Sequence, residues 1–500
     1  MKFNTELLEY SDIQLIDGDR GKNYPKESDF MVDGYCLFLS AKNVTSKGFE
    51  FSEKSFIDYE KDKLLRAGKL KRGDIVVTTR GTIGNIAFYG NDIPFDNIRI
   101  NSGMMIFRAD EEKWNRRFLY FLLRSNYIRQ QIVSLTSGSA VPQLPARDLK
   151  KFILPRLPKD IQGSIEKIIG DFTDKIQLNR QINQTLESMA QAIFQSWFVD
   201  FDPVKAKIAA REQWQILTDD QRTEWLNELL DKQAFLKTCL SELTANGEQS
   251  ASEILYINIA AMTAISSRDE TSLADMSADE FSQLYKTASL FPERLVESEL
   301  GEIPEGWEVK AMIDYLDSIS KTYPLKTVEN VVFLNTGDIQ NGQFLHANLI
   351  SPVGLPGQAK KSITKGDILY SEIRPKNKRY AYVFFDVDDY VVSTKLMVLR
   401  SNGQIDSKFL YFILTQESVV DYLQVLAESR SGTFPQITFD VLSKVEFLAP
   451  EDNVLTKVFV DNILNGFMAK MFQTNNEILE LSRVRDSLLP KLLSGELSIL

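Results

Sequence analysis

Five short segments of this 500-residue chain occur twice, in nearly one order and almost three hundred residues apart. Lys71–Val77 (KRGDIVV) returns as Thr364–Tyr370 (TKGDILY), and Phe38–Val44 (FLSAKNV) as Phe333–Ile339 (FLNTGDI). Met104–Arg108 (MMIFR) returns as Leu396–Arg400 (LMVLR), and Arg117–Leu123 (RFLYFLL) as Lys408–Leu414 (KFLYFIL). Ser137–Leu144 (SGSAVPQL) returns as Ser431–Ile437 (SGTFPQI), and all offsets lie between 291 and 295. Solenoid repeats recur every ~20–50 residues, so this period means two copies of one domain. Each copy reads alike. A short buried strand follows a Gly-Asp turn (Ile75–Val77; Ile368–Tyr370), and a second apolar strand follows it (Met104–Phe107; Leu396–Leu399). Then come an apolar helix, Phe118–Ile132 or Phe409–Leu426, and a polar Ser-Gly loop ending at Pro-Gln. The expected class is α+β.

The repeat continues past the globular part. Apolar residues fall in steps of four and three at Ile165, Ile169, Phe172, Ile176, Leu186, Ala190, Ile193 and Trp197, with Asn179 and Asn183 in the skipped slots. The second series is Val460, Leu464, Phe467, Met471, Ile478, Leu481, Leu488 and Leu492, interrupted by Thr474 and Arg485. A sustained 3.5-residue period is a coiled-coil signature. Each stretch covers about 35 residues, roughly 50 Å at 1.5 Å per residue. Two matched long helices in one chain predict an intramolecular antiparallel coiled coil, register set by the polar slots, and a pseudo-two-fold internal repeat. The alternative is that each helix packs on its own domain.

The expected organisation is a first globular domain (1–157), a central helix (158–204), an acidic helical insert or connector (205–298), a second globular domain (299–450) and a C-terminal helix (451–500). The net charge is −11, but its distribution is uneven. Residues 1–155 carry +4 and residues 156–300 carry −10. Binding to nucleic acid needs a local basic face rather than a basic chain. No apolar run reaches the ~18 residues a membrane span needs, and the N-terminus has no apolar core of a signal peptide. Cys36 and Cys239 form no disulfide framework, so a reducing, cytoplasmic setting is expected.

Catalytic signatures are missing. There is no nucleotide-binding Gly-rich loop and no Asn-Pro-Pro-Tyr-like methyltransferase motif. His346 is the single histidine, which leaves no histidine-based acid–base pair or His-rich metal site. Glu308–Lys310 (EVK) lacks the Pro-Asp a nuclease centre would need, and reads as a polar strand start. Asp200 and Asp202 fit a solvated helix end better than a Mg²⁺ site. No catalytic residue and no metal site is expected.

The polar loops are where the copies diverge. Thr78–Asn85 (TTRGTIGN) follows the first Gly-Asp strand, and Ser371–Tyr380 (SEIRPKNKRY) the second. Arg80, Arg374, Lys376, Lys378 and Arg379 have the chemistry to neutralise phosphates or pair with guanine. Asn85 and Asn377 suit adenine. Thr79, Thr82, Ser137, Ser139, Ser431 and Thr433 offer hydroxyls, and Gln143 and Gln436 pair with bases or phosphates. Each is also consistent with a solvated loop. Two such modules on a stiff rod would meet two separated half-sites, since B-DNA repeats every ~34–36 Å. The polar stripe Gln177, Asn179, Gln181, Asn183 and Gln184 is either a seam for partners or a wetted surface.

With the Gly-Asp strands, the Ser-Gly…Pro-Gln loops and the two long helices in place, the chain resembles the specificity subunit of type I restriction-modification systems. Trp197–Lys207 (WFVDFDPVKAK) and Leu290–Val309 (LFPERLVESELGEIPEGWEV) are similar to that family's connecting segment. The resemblance covers essentially the whole chain. It implies two target recognition domains, each reading half of a bipartite, asymmetric double-stranded DNA target. It also implies helices that dock two modification (methyltransferase) subunits, joined by restriction (motor-nuclease) subunits. S-adenosylmethionine, ATP and Mg²⁺ would belong to those partners, none to this non-catalytic chain, and methylation would fall on adenine. The long 205–298 insert departs from the family. Two alternatives stand: the DNA-reading fragment of a self-contained restriction–methylation enzyme, or a protein-interaction scaffold that does not bind DNA.

Overall fold

A computed structural model describes residues 4–46, 48–136, 143–232, 251–299, 301–430 and 434–497. The chain divides into two compact units, Met1–Asn179 with Glu477–Leu500, and Arg180–Asn476. Both are built on one topology. In the first unit a four-stranded sheet runs in the order Ile13–Asp17, Met104–Ala109, Ile75–Thr78, Ile86–Phe88. In the second the order is Leu316–Ile319, Leu396–Ser401, Ile368–Ser371, Tyr380–Tyr382. Each unit adds a second sheet, of three strands in the first and four in the second, holding one parallel pair, Cys36–Leu39 with Ile98–Ile100, or Val331–Leu334 with Tyr390–Ser393. A terminal antiparallel pair completes each: Thr5–Leu7 with Ile153–Pro155, and Trp307–Ala311 with Glu446–Pro450.

The central strands read as unbroken apolar runs because both of their faces are covered. Side chains alternate across a strand. Ile75, Val77, Met105 and Phe107 join one cluster with Phe118, Leu119 and Leu122, while Val76, Met104 and Ile106 join another with Leu37, Leu39 and Ile100. The second unit repeats the division: Ile368, Tyr370, Met397 and Leu399 on one side, Leu369, Leu396 and Val398 on the other.

The Gly-Asp turns have a specific job. Gly73 and Gly366 hold φ of +89° and +92°, and a Cβ on Gly73 would meet Arg116 at 2.6 Å. The buried Asp74 accepts from the Lys71 backbone N–H at 2.7 Å and from both arms of Arg108 at 2.9 and 2.6 Å. Asp367 accepts likewise from the Thr364 N–H at 2.7 Å and from Arg400 at 2.7 and 2.9 Å. The carboxylate thus locks the turn to the neighbouring strand with charge-assisted bonds, which explains why the Gly-Asp and Arg positions recur together.

The single apolar helix expected in each copy is two helices. Arg116–Arg124 and Asn126–Leu135 meet at Ser125, and Ser407–Leu414 and Glu417–Arg430 meet around Thr415. Ser125 is extended (ψ 157°) and caps the second helix by accepting from the Ile128 N–H, so the hydrophobic period runs through a break it does not register.

The central helix is continuous over Lys159–Phe198. The C-terminal helix runs Val454–Phe459, then a π-turn at Val460–Leu464, then Asn465–Ser494. Within the first unit, Ile165 and Ile169 share a cluster with Leu489, Leu492 and Leu493, and Asn179 donates to Glu477 at 2.9 Å. Within the second, Asn183 donates to Asn475 at 2.7 Å and accepts from Thr474, while Phe194 lies 5.9 Å from Phe459. Rising numbers on one helix meet falling numbers on the other in both units, so the pairing is antiparallel. The polar slots meet each other, as register-setting residues must. Of the expected seam, Ile165, Ile169, Ile176, Val460 and Leu464 are buried. Phe172, Leu186, Ile193, Phe467, Met471, Leu481 and Leu488 are half-buried at its flank. The seam is wider than a strict 3.5 period, because Phe194, Phe198, Phe459 and Met468 are buried as well. Of the polar stripe, Asn179 and Asn183 turn inward, while Gln177, Gln181 and Gln184 are exposed.

The described residues of the insert form the helices Asp202–Ile216, Asp219–Lys232, Ala251–Ser266, Glu270–Ala274 and Ala278–Ser289, and its last residues are not helical: Leu295–Ser298 is a strand paired with Gly301–Pro304. Leu255, Ile259, Met262 and Phe281 form its core, with Trp225 and Leu226 packed against them. Asp200 and Asp202 flank the left-handed Phe201 where the central helix ends. Lys207 is buried and donates to the Phe291 carbonyl at 2.6 Å, tying the insert's two ends together. Burial first, and Arg211 second, push its ammonium down to about 7. Cys239 lies outside the described residues.

Candidate nucleic-acid interface

In both units the strand that leaves the Gly-Asp turn ends at a cluster of loops. In the first unit, the backbone N–H groups of Thr79 and Arg80 donate to the Gly103 carbonyl at 2.8 and 3.2 Å. The Leu144 N–H donates to the Thr79 carbonyl at 3.0 Å, and Arg80 bridges Gln143. The Pro-Gln segment is therefore stitched to the end of the Gly-Asp strand. Gly18 lies flat against the neighbouring turn: a Cβ there would meet the Asn101 carbonyl at 2.2 Å. Asp19, next to it, accepts from the N–H groups of Gly21 and Arg66, each at 2.6 Å. Burial alone would push its carboxyl up, but those bonds, with one from Ala67, hold it below the ordinary value. Arg20 reaches the Ser102 carbonyl at 3.2 Å and pairs with Asp17 at 2.9 Å. Arg20, Lys22, Arg66 and Arg80 thus lie exposed at one end of the sheet.

The second unit builds the same end from different residues. The Ile437 N–H donates to the Glu372 carbonyl at 2.8 Å, the Arg374 N–H to the Pro435 carbonyl at 3.1 Å, and Ile373 bridges Gln436. Arg374 and Lys378 both take left-handed φ, 45° and 52°, on either side of the turn Pro375–Asn377. Such backbone is uncommon for residues with a Cβ and clusters at functional loops. Lys395 pairs with Glu372 at 3.1 Å and reaches Gln436 at 3.4 Å. Lys321 and Lys360 are exposed on the adjoining segments, and the Lys321 carbonyl accepts from Ser362.

The expected contact residues fall into three groups. Arg80 and Arg374 are exposed, and neither side chain has a partner among the described residues. Thr82, Asn377, Gln143 and Gln436 are exposed or half-buried beside them. The second group is committed to the fold. Thr79 is buried, the Asn85 amide donates to the Val44 carbonyl at 2.9 Å, and Arg379 donates to the Thr336 carbonyl at 2.9 Å. Lys376 pairs with Asp421 at 3.1 Å and Lys378 with Glu417. Ser137, Ser139, Ser431 and Thr433 lie outside the described residues. Sequence reasoning missed Arg20, Lys22, Arg66, Lys321 and Lys360. The first-strand pairing Ile106↔Ile16 against Val398↔Ile319 moves the offset out to 303, so a search at a fixed offset passes over Arg20, Lys22 and Lys321, while Arg66 and Lys360 fall outside the five repeated segments. No cluster of metal-ligating residues occurs among the described residues, nor any helix long and apolar enough to cross a membrane.

Comparison with known proteins agrees with this duplicated architecture. The family model for the type I restriction modification DNA specificity domain matches twice, at residues 6–188 and 304–478. The chain is 30% identical to the type I restriction enzyme HindI specificity subunit of Haemophilus influenzae, over 96% of this chain and 98% of that one. It is 21% identical to the MjaIX specificity subunit of Methanocaldococcus jannaschii, over 86% of this chain and 78% of that one. A crystal structure of a type I restriction-modification S subunit from M. genitalium aligns over 98% of this chain and 96% of that one, with 12% identity and a TM-score of 0.47. Two matches to one domain model, and a relative similar from end to end, establish that the chain belongs to the type I restriction-modification specificity subunit family.

Proposed function

We propose that this chain is the non-catalytic subunit that selects the DNA target of a type I restriction-modification complex, each unit reading one half of a bipartite sequence. One observation supports this above all: where the Gly-Asp strand meets the Pro-Gln segment, each unit has an exposed arginine without a side-chain partner among the described residues, Arg80 at the bridge to Gln143 in the first and Arg374 one residue past the bridging Ile373 in the second. An arginine on a rigid strand end that no described residue engages has the geometry to grip guanine through two nitrogens. Lys22, Arg66, Lys321 and Lys360 surround it with charge suited to phosphates. The ion-paired Lys376 and Lys378 hold the second loop in shape instead. Two modification subunits and the motor-nuclease subunits dock on the chain, the paired helices being the surface for the former, in a cytoplasmic complex. S-adenosylmethionine, ATP and Mg²⁺ act on those partners.

The assembled complex, presented with random-sequence duplex pools, is expected to enrich one asymmetric motif of two short tracts with a fixed spacer. A single contiguous motif, or none, refutes the reading. Replacing residues 4–157 with the corresponding module of a relative is expected to change one tract and leave the other; a change in both contradicts the division of labour. Arg80→Ala and Arg374→Ala each weaken specific binding by about 1–3 kcal/mol if they read bases. An equal loss on every sequence, with a shallower salt dependence, would assign them to phosphates.

A further inference from the structure

The internal duplication leaves one location filled in the second unit and open in the first. In the second unit the hairpin Ile339–Gln340/Gln343–Phe344 turns at Asn341. Its side-chain amide N–H group donates to the Glu187 carboxylate of the central helix at 3.2 and 3.3 Å, and the Tyr380 hydroxyl donates to its side-chain Oδ1 at 2.9 Å. In the first unit the matching hairpin, Val44–Thr45/Gly48–Phe49, has Ser46 where Asn341 stands. Strand register sets Ile86 against Tyr380, and Gly84 lies two residues before it, as Lys378 does. At these three positions the first-unit side chain is the smaller; Lys47, which stands opposite Gly342, lies outside the described residues. The C-terminal helix, at the repeat offset of 295, has Ser482 in place of Glu187 and so no carboxylate to offer.

What remains is a cavity of about 220 Å³ within the first unit. Ile132, Ile169 and Leu489 form its floor, and Arg124, Arg129 and Arg485 line it. Arg124 is fixed, donating to the Ser46 carbonyl at 2.7 Å and to the Tyr120 hydroxyl. Among the described residues Arg485 pairs only with its sequence neighbour, the largely exposed Asp486, at 2.8 Å. Arg129 has no side-chain partner among the described residues. Arg485 is also one of the two residues that interrupt the apolar steps of the C-terminal helix; the other, Thr474, is engaged by Asn183 across the pair.

We propose that this cavity is a binding site for a phosphate group. Three guanidiniums against one carboxylate leave a local excess of positive charge, and their planar forks match phosphate oxygens. The volume is below the roughly 300–1,000 Å³ of sites for drug-sized ligands, so it suits one or two phosphates rather than a whole cofactor. The cavity touches Gly84 and Asn85, so its occupant would press on the loop that begins at Arg80. The phosphate comes either from a small free anion or from a DNA backbone.

Calorimetric titration of the full chain with inorganic pyrophosphate tests the site without reference to DNA reading. Saturable binding is expected, weakened at least tenfold in Arg129→Ala and in Arg485→Ala. Arg483→Ala removes a largely exposed charge from the same helix away from the cavity, and should bind as the parent does. Absence of saturable binding, or equal affinity in all four proteins, overturns the proposal. Duplex DNA without a target sequence then separates the sources. Displacement of pyrophosphate by the duplex assigns the site to the DNA backbone, and persistence of pyrophosphate assigns it to a free anion; either result upholds a phosphate site.

Discussion

Trp197→Ala is expected to destabilise the second unit by about 3–5 kcal/mol, the range for removing a large buried aromatic side chain. Trp197 is 2% exposed, with its ring 5.3 Å from Phe291 and 5.5 Å from Phe459. It joins three segments that are remote in sequence: the central helix, the insert just past its last helix, and the Val454–Phe459 segment of the C-terminal helix. Truncation opens a cavity that those neighbours cannot close, because each is held by its own backbone. Trp197→Phe should recover most of the loss. Urea unfolding followed by circular dichroism, with the first unit's transition as an internal standard, measures the difference. A loss below about 1 kcal/mol would mean the ring is not packed as described.

Asp62→Ala is expected to destabilise the first unit by a similar amount, about 3–5 kcal/mol, because it strands a buried charge. The Asp62 and Arg99 side chains are 6% and 7% exposed and meet at 2.5 Å, and Lys69 completes the cluster at 2.6 Å. Arg99 also donates to the carbonyls of Asp62, Leu65 and Ala67, so it pins the helix Tyr59–Leu64 and the following turn to the parallel pair of strands. Replacing both residues with apolar ones should cost less than the single substitution, since no charge is then left unpaired. The pH dependence has a definite sign. Burial pushes the Asp62 carboxyl up, but the bonds to Lys69 and Arg99 outweigh it and hold the group below its ordinary value. The pair therefore contributes fully above the unfolded carboxyl value of about 3.9, and its contribution is lost as pH falls through the lower folded value. Asp62→Asn should flatten that part of the acid limb; an unchanged limb would show that other carboxylates govern it.

Much of the fold was legible because it is written twice. An apolar strand after Gly-Asp is ambiguous once but not when it recurs in register with a second apolar strand; the Asp74–Arg108 and Asp367–Arg400 locks that join the two strands emerged only in the structure. The helix steps were legible because seam positions must be apolar wherever they lie. Their polar gaps were legible too, since Asn179 and Asn183 sit where side chains have to be buried. The break at Ser125 was not, because a capped junction between two helices preserves the apolar spacing. The candidate site was half legible. Its loops were found, but not which side chains are free: Asn85 is claimed by Val44, Lys376 by Asp421 and Lys378 by Glu417, all about 40 residues away in the chain.

The amino-acid sequence by itself determined the duplication, the buried apolar strands and the antiparallel seam. Those depend on local spacing repeated often enough to rise above chance. Tertiary structure alone decided which charges face solvent, which are spent on internal pairs, and where smaller residues in one copy leave a hollow that larger ones fill in the other. The physical reason is range: periodicity is a property of neighbours along the chain, whereas a free guanidinium or an empty volume is defined by what distant segments bring, or fail to bring, within a few ångströms.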